Sequence, residues 1–346
     1  MAVTIKDVAR ESGVSVATVS RAINGHDNVA AAVRERVLRV ARELDYAPHQ
    51  AARALSSRRT HTVGVVLPDL HGEFFSELIR GIGQVARANG LHLLVSSDHG
   101  EPTEQGAALQ AMRGRVDGVL VMAPTDEGSR FLARHLTPAL PAVLINTVDP
   151  GGTRPAVGVD GYGGARTMVR HLVASGHRRI AFVSGPADNH DARERRRGYE
   201  DELAASLPGS TPHVLEGDFS EASGLHAAGR LFAGGSRPDA VFAANDAMAV
   251  GCMRGLVDAG VAVPADIALA GFDDIPLARH LQPALTTMRV DIAELGGRAL
   301  EALLEHLLTG SGAAEPAAAP AALSPRLIVR ASTAAARIHA VARDGS

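Results

Sequence analysis

From residue 61 onward, the chain alternates between short apolar runs and longer amphipathic segments. The apolar runs include TVGVVLPD, LHLLVSSD, VDGVLVMAP and PAVLIN, each of which ends in small or polar residues. Between them lie segments such as FFSELIRGIGQVARANG, in which Phe75, Leu78, Ile82 and Val85 recur with helical spacing. Strands that alternate with helices in this way predict βαβ units and a parallel, doubly wound sheet.

A second series of apolar runs begins near residue 179 with RRIAFVSG, HVLEGD, DAVFAAND and DIALAGFDD. Two series predict two Rossmann-like lobes, with a ligand cleft at the carboxyl ends of their strands. We expect an N-terminal lobe from residues 61–160 and 291–323, a C-terminal lobe from 161–290 and 324–340, and a tail at 341–346. The Ala/Pro-rich stretch 309–323 is predicted to be a loop.

The composition is that of a globular protein, with 46% hydrophobic and 21% charged residues. No apolar run reaches the length of a membrane span, and the start MAVTIKDVARESG carries charges where a signal peptide needs an apolar core. The single cysteine, Cys252, excludes a disulfide framework within the chain and fits a reducing compartment. We therefore expect a cytoplasmic protein with no membrane partner.

The charge is unevenly distributed along the chain. Residues 1–60 contain ten Lys and Arg against six Asp and Glu, although the whole chain has a net charge of −3. A basic head on an acidic body suggests that the head meets an anionic partner.

The head itself has the pattern of short helices joined by a tight turn. TIKDVARESG predicts a helix that begins at Thr4, with Asp7 completing a capping box. Gly13 favours the turn, and a second helix follows over residues 15–23. On that helix Ala17 and Arg21 share a small, positively ended face that can approach a DNA major groove.

A third helix, AAVRERVLRVARELDY, completes a helix-turn-helix module. A generic three-helix bundle that binds nothing explains the apolar stripes equally well. It does not explain the tight spacing of the first two helices together with the arginine-ended face.

The segment TIKDVARESGVSVATVSRAINGHDNV, followed by RERV and ELDYAP, resembles the lac/gal-repressor (LacI/GalR) family of bacterial transcription regulators. The resemblance implies a helix-turn-helix domain at residues 1–46 and a hinge at 47–60. The Val16–Ala17 pair resembles the gal-type members, in which these two positions choose the operator bases. The residues implied in DNA binding are Thr4, Ser15, Val16, Ala17, Thr18, Ser20, Arg21, Asn24, Ala52 and Leu55.

Two positions of the head depart from the family pattern. Ala30 stands where a Ser or Thr usually caps the third helix, and His49 stands where Asn usually follows Pro48. In the hinge, APHQAARALSSRRT, the resemblance implies that Leu55 wedges into the minor groove and bends the DNA. Without the resemblance, a plain linker is the better interpretation of this segment.

The resemblance extends through the body and implies a small effector, a sugar, between the lobes. GEFFSELIRGI, ARERRRGY, GDFSEASG, FAANDAMAVG and GFDD match the ligand-facing segments, although Gly72 and Glu73 replace a frequent Asn-Pro. The implied effector residues are Phe75, Arg193, Arg195, Phe219, Asn245 and Asp273. The structural alternatives are that Phe75 belongs to the core, that Asp246 caps a helix and that Asp274 only orders its loop.

No pattern in the sequence indicates an enzyme, a cofactor or a metal site. GIGQVA fits a dinucleotide-binding fingerprint but lies inside a helical stretch, and G-x-S-x-G, P-loop and H-E-x-x-H motifs do not occur. DNHD around His190 is predicted to be an exposed loop.

We therefore predict a nucleoid-associated, homodimeric repressor of a palindromic operator, controlled by a sugar. The alternatives are a sugar-binding receptor without gene control, which the helix-turn-helix opposes, and a sugar-metabolising enzyme. Whether the ligand induces or corepresses stays open, and no C-terminal leucine heptad indicates a tetramer.

Overall fold

The computed structural model describes residues 3–23, 28–46, 59–97, 101–137, 139–231, 237–309 and 321–334. The chain divides into two compact units, residues 1–60 and 61–346. The predicted hinge residues 47–58, the predicted tail and the contacts Asn24, Ala52 and Leu55 lie outside the described residues.

The described residues of the first unit form three mutually packed helices. They are α1 (Ile5–Ser12), α2 (Val16–Ile23) and α3 (Ala31–Glu43). Their core is small and aliphatic, with Val8, Val19 and Val37 fully buried. The helix-turn-helix module predicted from the sequence is present.

Local capping chemistry explains where these helices begin and end. The Asp7 carboxylate accepts hydrogen bonds from the Thr4 backbone N–H at 3.0 Å and the Thr4 hydroxyl at 2.8 Å. Gly13 ends α1 with a left-handed φ of 64°, a conformation that glycine adopts without strain. The Ser15 hydroxyl caps α2 by accepting from the Thr18 backbone N–H at 3.2 Å. Ala30 gives α3 no side-chain cap.

The second unit alternates strands and helices along the chain. Its strands are β1 (Thr62–Leu67), β2 (His92–Ser97), β3 (Gly118–Val121), β4 (Ala142–Ile145), β5 (Ala156–Val159), β6 (Ile180–Ser184), β7 (His213–Glu216), β8 (Ala240–Ala243), β9 (Ala268–Asp273), β10 (Thr286–Arg289), β11 (Ala321–Leu323) and β12 (Arg326–Ile328). Its α-helices are α4 (Glu73–Ala88), α5 (Pro102–Met112), α6 (Asp126–His135), α7 (Gly161–Ala174), α8 (His190–Ser206), α9 (Glu221–Arg230), α10 (Asp246–Asp258) and α11 (Ile292–Thr309). Two short 3₁₀ helices are Pro276–Arg279 and Ala331–Thr333.

The strands form two sheets, which define two lobes. The first sheet has the order β11-β5-β4-β3-β1-β2, with every pair parallel. The second has the order β12-β10-β9-β8-β6-β7, parallel except for the antiparallel pair of β10 with β12. Both are doubly wound, so each has a topological switch point at the carboxyl ends of its central strands.

We call the first sheet with α4, α5, α6 and α11 the first lobe, and the second sheet with α7 to α10 the second lobe. The chain passes between the lobes after β5, after β10 and after β11. Close backbone packing supports the first lobe: a side chain at Gly81 or Gly296 would overlap the backbone of the facing helix in the α4–α11 pair.

Strands β5, β10 and β11 were not among the predicted strands. The stretch 309–323 was expected to be a loop throughout, but residues 321–323 form β11, which pairs with β5 from Ala321 to Val157. Three residues of Ala-Ala-Leu carry no periodicity, so only the partner strand reveals them. Among the described helices, none is long and apolar enough to cross a membrane.

Candidate functional site

One face of α2 is exposed although it begins with an apolar residue. Val16 is 40% exposed, Ala17 and Arg21 are also exposed, and Val19 and Ala22 pack inward. Small side chains on one face and an arginine at its end allow close approach to a groove and contact with a base edge or phosphate. The helix therefore has the shape of a DNA-reading element.

The hydroxyl residues around α2 also serve local structure. The Ser15 and Thr18 hydroxyls lie 2.9 Å apart, and Thr4 holds the start of α1. Thr18 and Ser20 are half-buried. A hydroxyl group such as that of Thr18 would therefore contact DNA while it also forms hydrogen bonds within the module.

In the second unit, a buried arginine lies where strands of the second lobe end. Arg195, on α8, is 4% exposed, and its Nη1 donates to the carbonyl oxygen of Ala244 at 2.5 Å. Its guanidinium lies 3.9 Å from the ring centroid of Phe272 and 5.8 Å from that of Phe219. Its Nη2 is 3.4 Å from Oδ1 of Asp273, a charge contact too long for a strong hydrogen bond.

This arginine lies among buried polar atoms without partners. Arg195 Nε, Asp273 Oδ1 and both polar atoms of the Asn146 amide make no hydrogen bond. An unsatisfied buried group costs about 1–3 kcal/mol, so native proteins rarely retain several together without a use. Such a set can receive the hydroxyls of a polar ligand.

The carboxyl groups of the site are electrostatically perturbed. Burial raises the pKa of Asp273 to about 7, although Arg195 opposes the shift. Burial also raises the pKa of Asp191, which the Arg195 charge opposes. Asn146 lies close enough to Asp191 to act against that rise in pKa, without a hydrogen bond of good geometry. Buried carboxyl groups with perturbed pKa values beside a buried arginine are candidates for a functional site.

Backbone strain marks the same place. Asn146, Phe219 and Asp273 have left-handed φ values of 44°, 71° and 113°, which non-glycine residues rarely adopt. Such conformations cost about 1–3 kcal/mol each and concentrate at ligand sites. Asn146 comes from the first lobe, whereas Phe219 and Asp273 belong to the second.

Two residues of the cluster, Asn146 and Asp191, were not identified from the sequence. Asp191 fell in DNHD, predicted to be an exposed loop, but Asn189 caps α8 there and Asp191 is buried on its first turn. Asn146 directly follows the buried strand β4, and its place after a strand was the one signal that could have identified it.

Asn245 and Phe219 form one structural unit. The Asn245 side chain caps α10 by accepting from the Met248 backbone N–H at 2.9 Å, and its Nδ2 donates to the Phe219 carbonyl at 3.0 Å. This clamp holds the strained Phe219, whose ring covers Gly185 so closely that a side chain there would overlap it. One amide hydrogen of Asn245 remains for a ligand.

The two neighbouring carboxylates, Asp246 and Asp274, are structural. Asp246 is fully buried and accepts from the Thr287 hydroxyl at 2.6 Å and the Ile275 backbone N–H at 3.0 Å. Asp274 accepts from Arg289 and Arg330, each at 2.6 Å. The carboxylate oxygens of Asp246 and Asp274 therefore already accept hydrogen bonds from protein groups.

Two of the predicted effector residues have other partners in the structure. Phe75 is half-buried on α4 and packs edge to face on Phe74, with ring centroids 5.4 Å apart. Arg193 forms an ion pair with Asp126 of the first lobe, so its guanidinium is already occupied. Among the described residues, no group of three His, Cys, Asp or Glu side chains could hold a metal ion.

Comparisons with known proteins agree with this geometry. The family described as "Bacterial regulatory proteins, lacI family" matches residues 4–49, and "Periplasmic binding protein-like domain" matches 169–333. The catabolite control protein A of Priestia megaterium is 35% identical over 314 residues, covering 89% of this chain and 93% of the relative. The ribose operon repressor of Escherichia coli is 36% identical over 307 residues, covering 88% and 93%. The lac repressor dimer bound to operator and the anti-inducer ONPF superposes with a TM-score of 0.87 and 30% identity, covering 97% of this chain and all of that one.

Proposed function

Because this chain belongs to the LacI family of bacterial regulatory proteins and is a ligand-controlled DNA-binding regulator, not an enzyme, we propose that its effector is a sugar bound between the two lobes. The observation that carries the proposal is the set of buried, unpaired polar atoms on Asn146, Arg195 and Asp273. Vicinal hydroxyls both donate and accept, so one sugar ring can satisfy a guanidinium, a carboxylate and an amide together.

The apolar part of this proposed site comes from the aromatic side chains. The Phe219 ring lies over the β6 end and is half-buried, and Phe75 of the first lobe is also half-buried. A sugar ring presents an apolar face of C–H groups, which such rings can cover. Arg193 is not a ligand contact in this proposal, whereas Asp191 is.

At the other site, α2 reads an A/T-rich palindrome with a central CG step. Val16 and Ala17 lie at the exposed start of α2 and contact bases, and Arg21 contacts a base edge or phosphate. Two such helices in a homodimer match the two half-sites. The supporting DNA contacts are Thr4, Ser15, Thr18, Ser20, Asn24 and Ala52, with Leu55 as the minor-groove wedge.

The two sites are linked by lobe closure. We take residues 61–160 with 291–323, and 161–290 with 324–340, as the two moving bodies, and 47–60 as the hinge to the DNA-binding domain. The ligand changes operator affinity only through its different affinity for the open and closed arrangements. The protein acts as a repressor in the cytoplasm, at the nucleoid.

A thermal-shift screen of the full chain tests the ligand proposal. Millimolar D-ribose, D-galactose, D-glucose and cellobiose are compared, because a ligand at 100 times its Kd stabilises the folded state by about 2.7 kcal/mol. We expect one of them to raise Tm and to change binding to an operator selected from random DNA. Arg195→Gln should abolish the shift, whereas Arg196→Gln, an exposed arginine on the same helix paired with Glu200, should retain it. Equal shifts in both variants would place the site elsewhere.

A further inference from the structure

We propose that Arg193 and Asp126 form a latch that holds the two lobes closed, so that Arg193 is a positioning residue and not a ligand contact. Asp126 is the first residue of α6, in the first lobe, and Arg193 lies in the first turn of α8, in the second lobe. Nη1 of Arg193 donates to Oδ2 of Asp126 at 3.0 Å, and Nη2 donates to Oδ1 at 2.7 Å. This two-bond geometry is the strongest and most directional form of an arginine–carboxylate pair.

Backbone hydrogen bonds join the lobes at the same place. Thr125 and Asn189 form an isolated antiparallel bridge. The Asp126 N–H donates to the Asp188 carbonyl at 3.1 Å, and the His190 N–H donates to the Pro124 carbonyl at 2.9 Å. Opening the lobes at this edge must break these bonds together with the ion pair.

The bridge is built from residues that also fix the two helices. The Thr125 hydroxyl caps α6 by accepting from Gly128, and the Asn189 side chain caps α8 by accepting from Ala192, both at 3.1 Å. The N-terminal ends of α6 and α8 are therefore coupled to the Thr125–Asn189 bridge. Because α8 also carries the buried Arg195, the latch and the proposed ligand site are parts of one rigid element.

The ion pair with Asp126, together with a hydrogen bond from Nη1 to the Ala187 carbonyl at 3.3 Å, holds the exposed Arg193 side chain in place. Its side chain is 40% exposed and borders a cavity of about 490 Å³. Its neighbours Arg196 and Arg197 pair within α8, with Glu200 and Glu194, whereas Arg193 reaches across to the other lobe. Residues two positions apart lie about 200° apart around a helix, so Arg193 cannot share the inward face of Arg195.

A latch of this kind sets how much of the protein is closed before any ligand arrives. The apparent affinity of a ligand that binds only the closed arrangement is proportional to the fraction of protein that is closed. This consequence rests on the proposed function, because it takes the cleft as the ligand site. The closure itself can be measured without a ligand.

Hydrogen–deuterium exchange on the full chain, without sugar, tests the latch. Because an exposed ion pair is screened by solvent, we expect its loss to change the opening equilibrium by only about 2–5-fold. We expect Arg193→Gln to speed exchange by that factor in the peptides that contain the Asp126 and His190 amides, while Tm falls by no more than about 4 °C. About 0.5 M NaCl should do the same to the unmodified protein, because salt screens exposed pairs.

Three comparisons make the outcome decisive. Arg196→Gln, which replaces the matched exposed arginine, should leave the exchange rates of both peptides unchanged. Asp126→Asn should speed their exchange, and Arg193→Gln added to it should have no further effect, because the pair is already broken. Strictly additive effects, or unaltered exchange in Arg193→Gln, would overturn the latch. Failure of the proposed function has a different result: no sugar binds, while the exchange effect persists.

Discussion

Replacing Asp273 by Asn should stabilise the protein at neutral and higher pH while it removes ligand binding. The substitution keeps the shape of the side chain and removes its charge. In the structure this carboxyl is 4% exposed, and burial raises its pKa to about 7 from an ordinary 3.8. Between pH 4 and 7 the folded state therefore binds a proton that the unfolded state has released, so stability falls as pH rises through that window.

The size of the effect follows from the shift in pKa. One pKa unit corresponds to 1.36 kcal/mol, so a shift of about three units destabilises the folded state by on the order of 4 kcal/mol above pH 7. The neutral amide of the Asp273→Asn variant mimics the protonated acid. We expect this variant to raise Tm on the order of 8 °C at pH 8. The difference should fall to less than half at pH 5 and nearly vanish at pH 4, in calorimetric scans of ligand-free protein.

The adjacent residue provides the control. Asp274 has a similarly buried side chain, but its two oxygens accept from Arg289 and Arg330, so Asp274→Asn leaves two guanidiniums without their anion. That change should lower stability by about 3 kcal/mol. If Asp273→Asn instead lowers Tm at pH 8 as Asp274→Asn does, the Asp273 charge is already stabilised by the protein, and the reasoning that it awaits a ligand is wrong.

Three further results are expected. Gly271→Ala should destabilise the second lobe by about 1–3 kcal/mol in calorimetry, since its methyl group would overlap the fully buried Asp246; an unchanged Tm would contradict the close approach of β9 to this carboxyl. Arg195→Lys should weaken sugar binding at least tenfold in calorimetric titration, because an ammonium cannot reproduce the flat guanidinium on Phe272; normal affinity would exclude a direct role. Exchanging Val16 and Ala17 for other side chains should change the operator selected from random DNA, at about 1–3 kcal/mol per base pair; an unaltered preference would mean that α2 does not read the sequence.

The fold followed from the sequence because its signals are periodic and local. Strand–helix alternation predicted two doubly wound sheets, and Thr4, Asp7 and Gly13 predicted the limits of α1. The strand β11 was not predicted because its three residues can be recognised as a strand only from their pairing with β5. Local patterns identify elements, whereas pairing across a long chain separation leaves little trace in a three-residue segment.

The site was less accessible from the sequence because burial and pairing are tertiary properties. Arg193 and Arg195 look alike in ARERRRG, yet one has a 40% exposed side chain that reaches the other lobe and the other has a 5% exposed side chain. Once the helix is assigned, their spacing of two already requires different faces. Asp191 gives the opposite lesson: a polar segment suggested a loop, but the first turn of α8 buries its carboxyl.

The distribution of unpaired atoms between the lobes would allow the proposed ligand site to regulate the protein. If all partners of a sugar lay in one lobe, open and closed forms would bind it equally, and no tightness of binding would shift the equilibrium. Here Arg195 and Asp273 come from the second lobe, and Asn146 comes from the first. A ligand can satisfy all three only when the lobes are together, so part of its binding energy is available to closure alone. In the proposed latch, the Arg193–Asp126 pair is exposed and contributes less than a buried pair would, so ligand binding can shift the lobes against it.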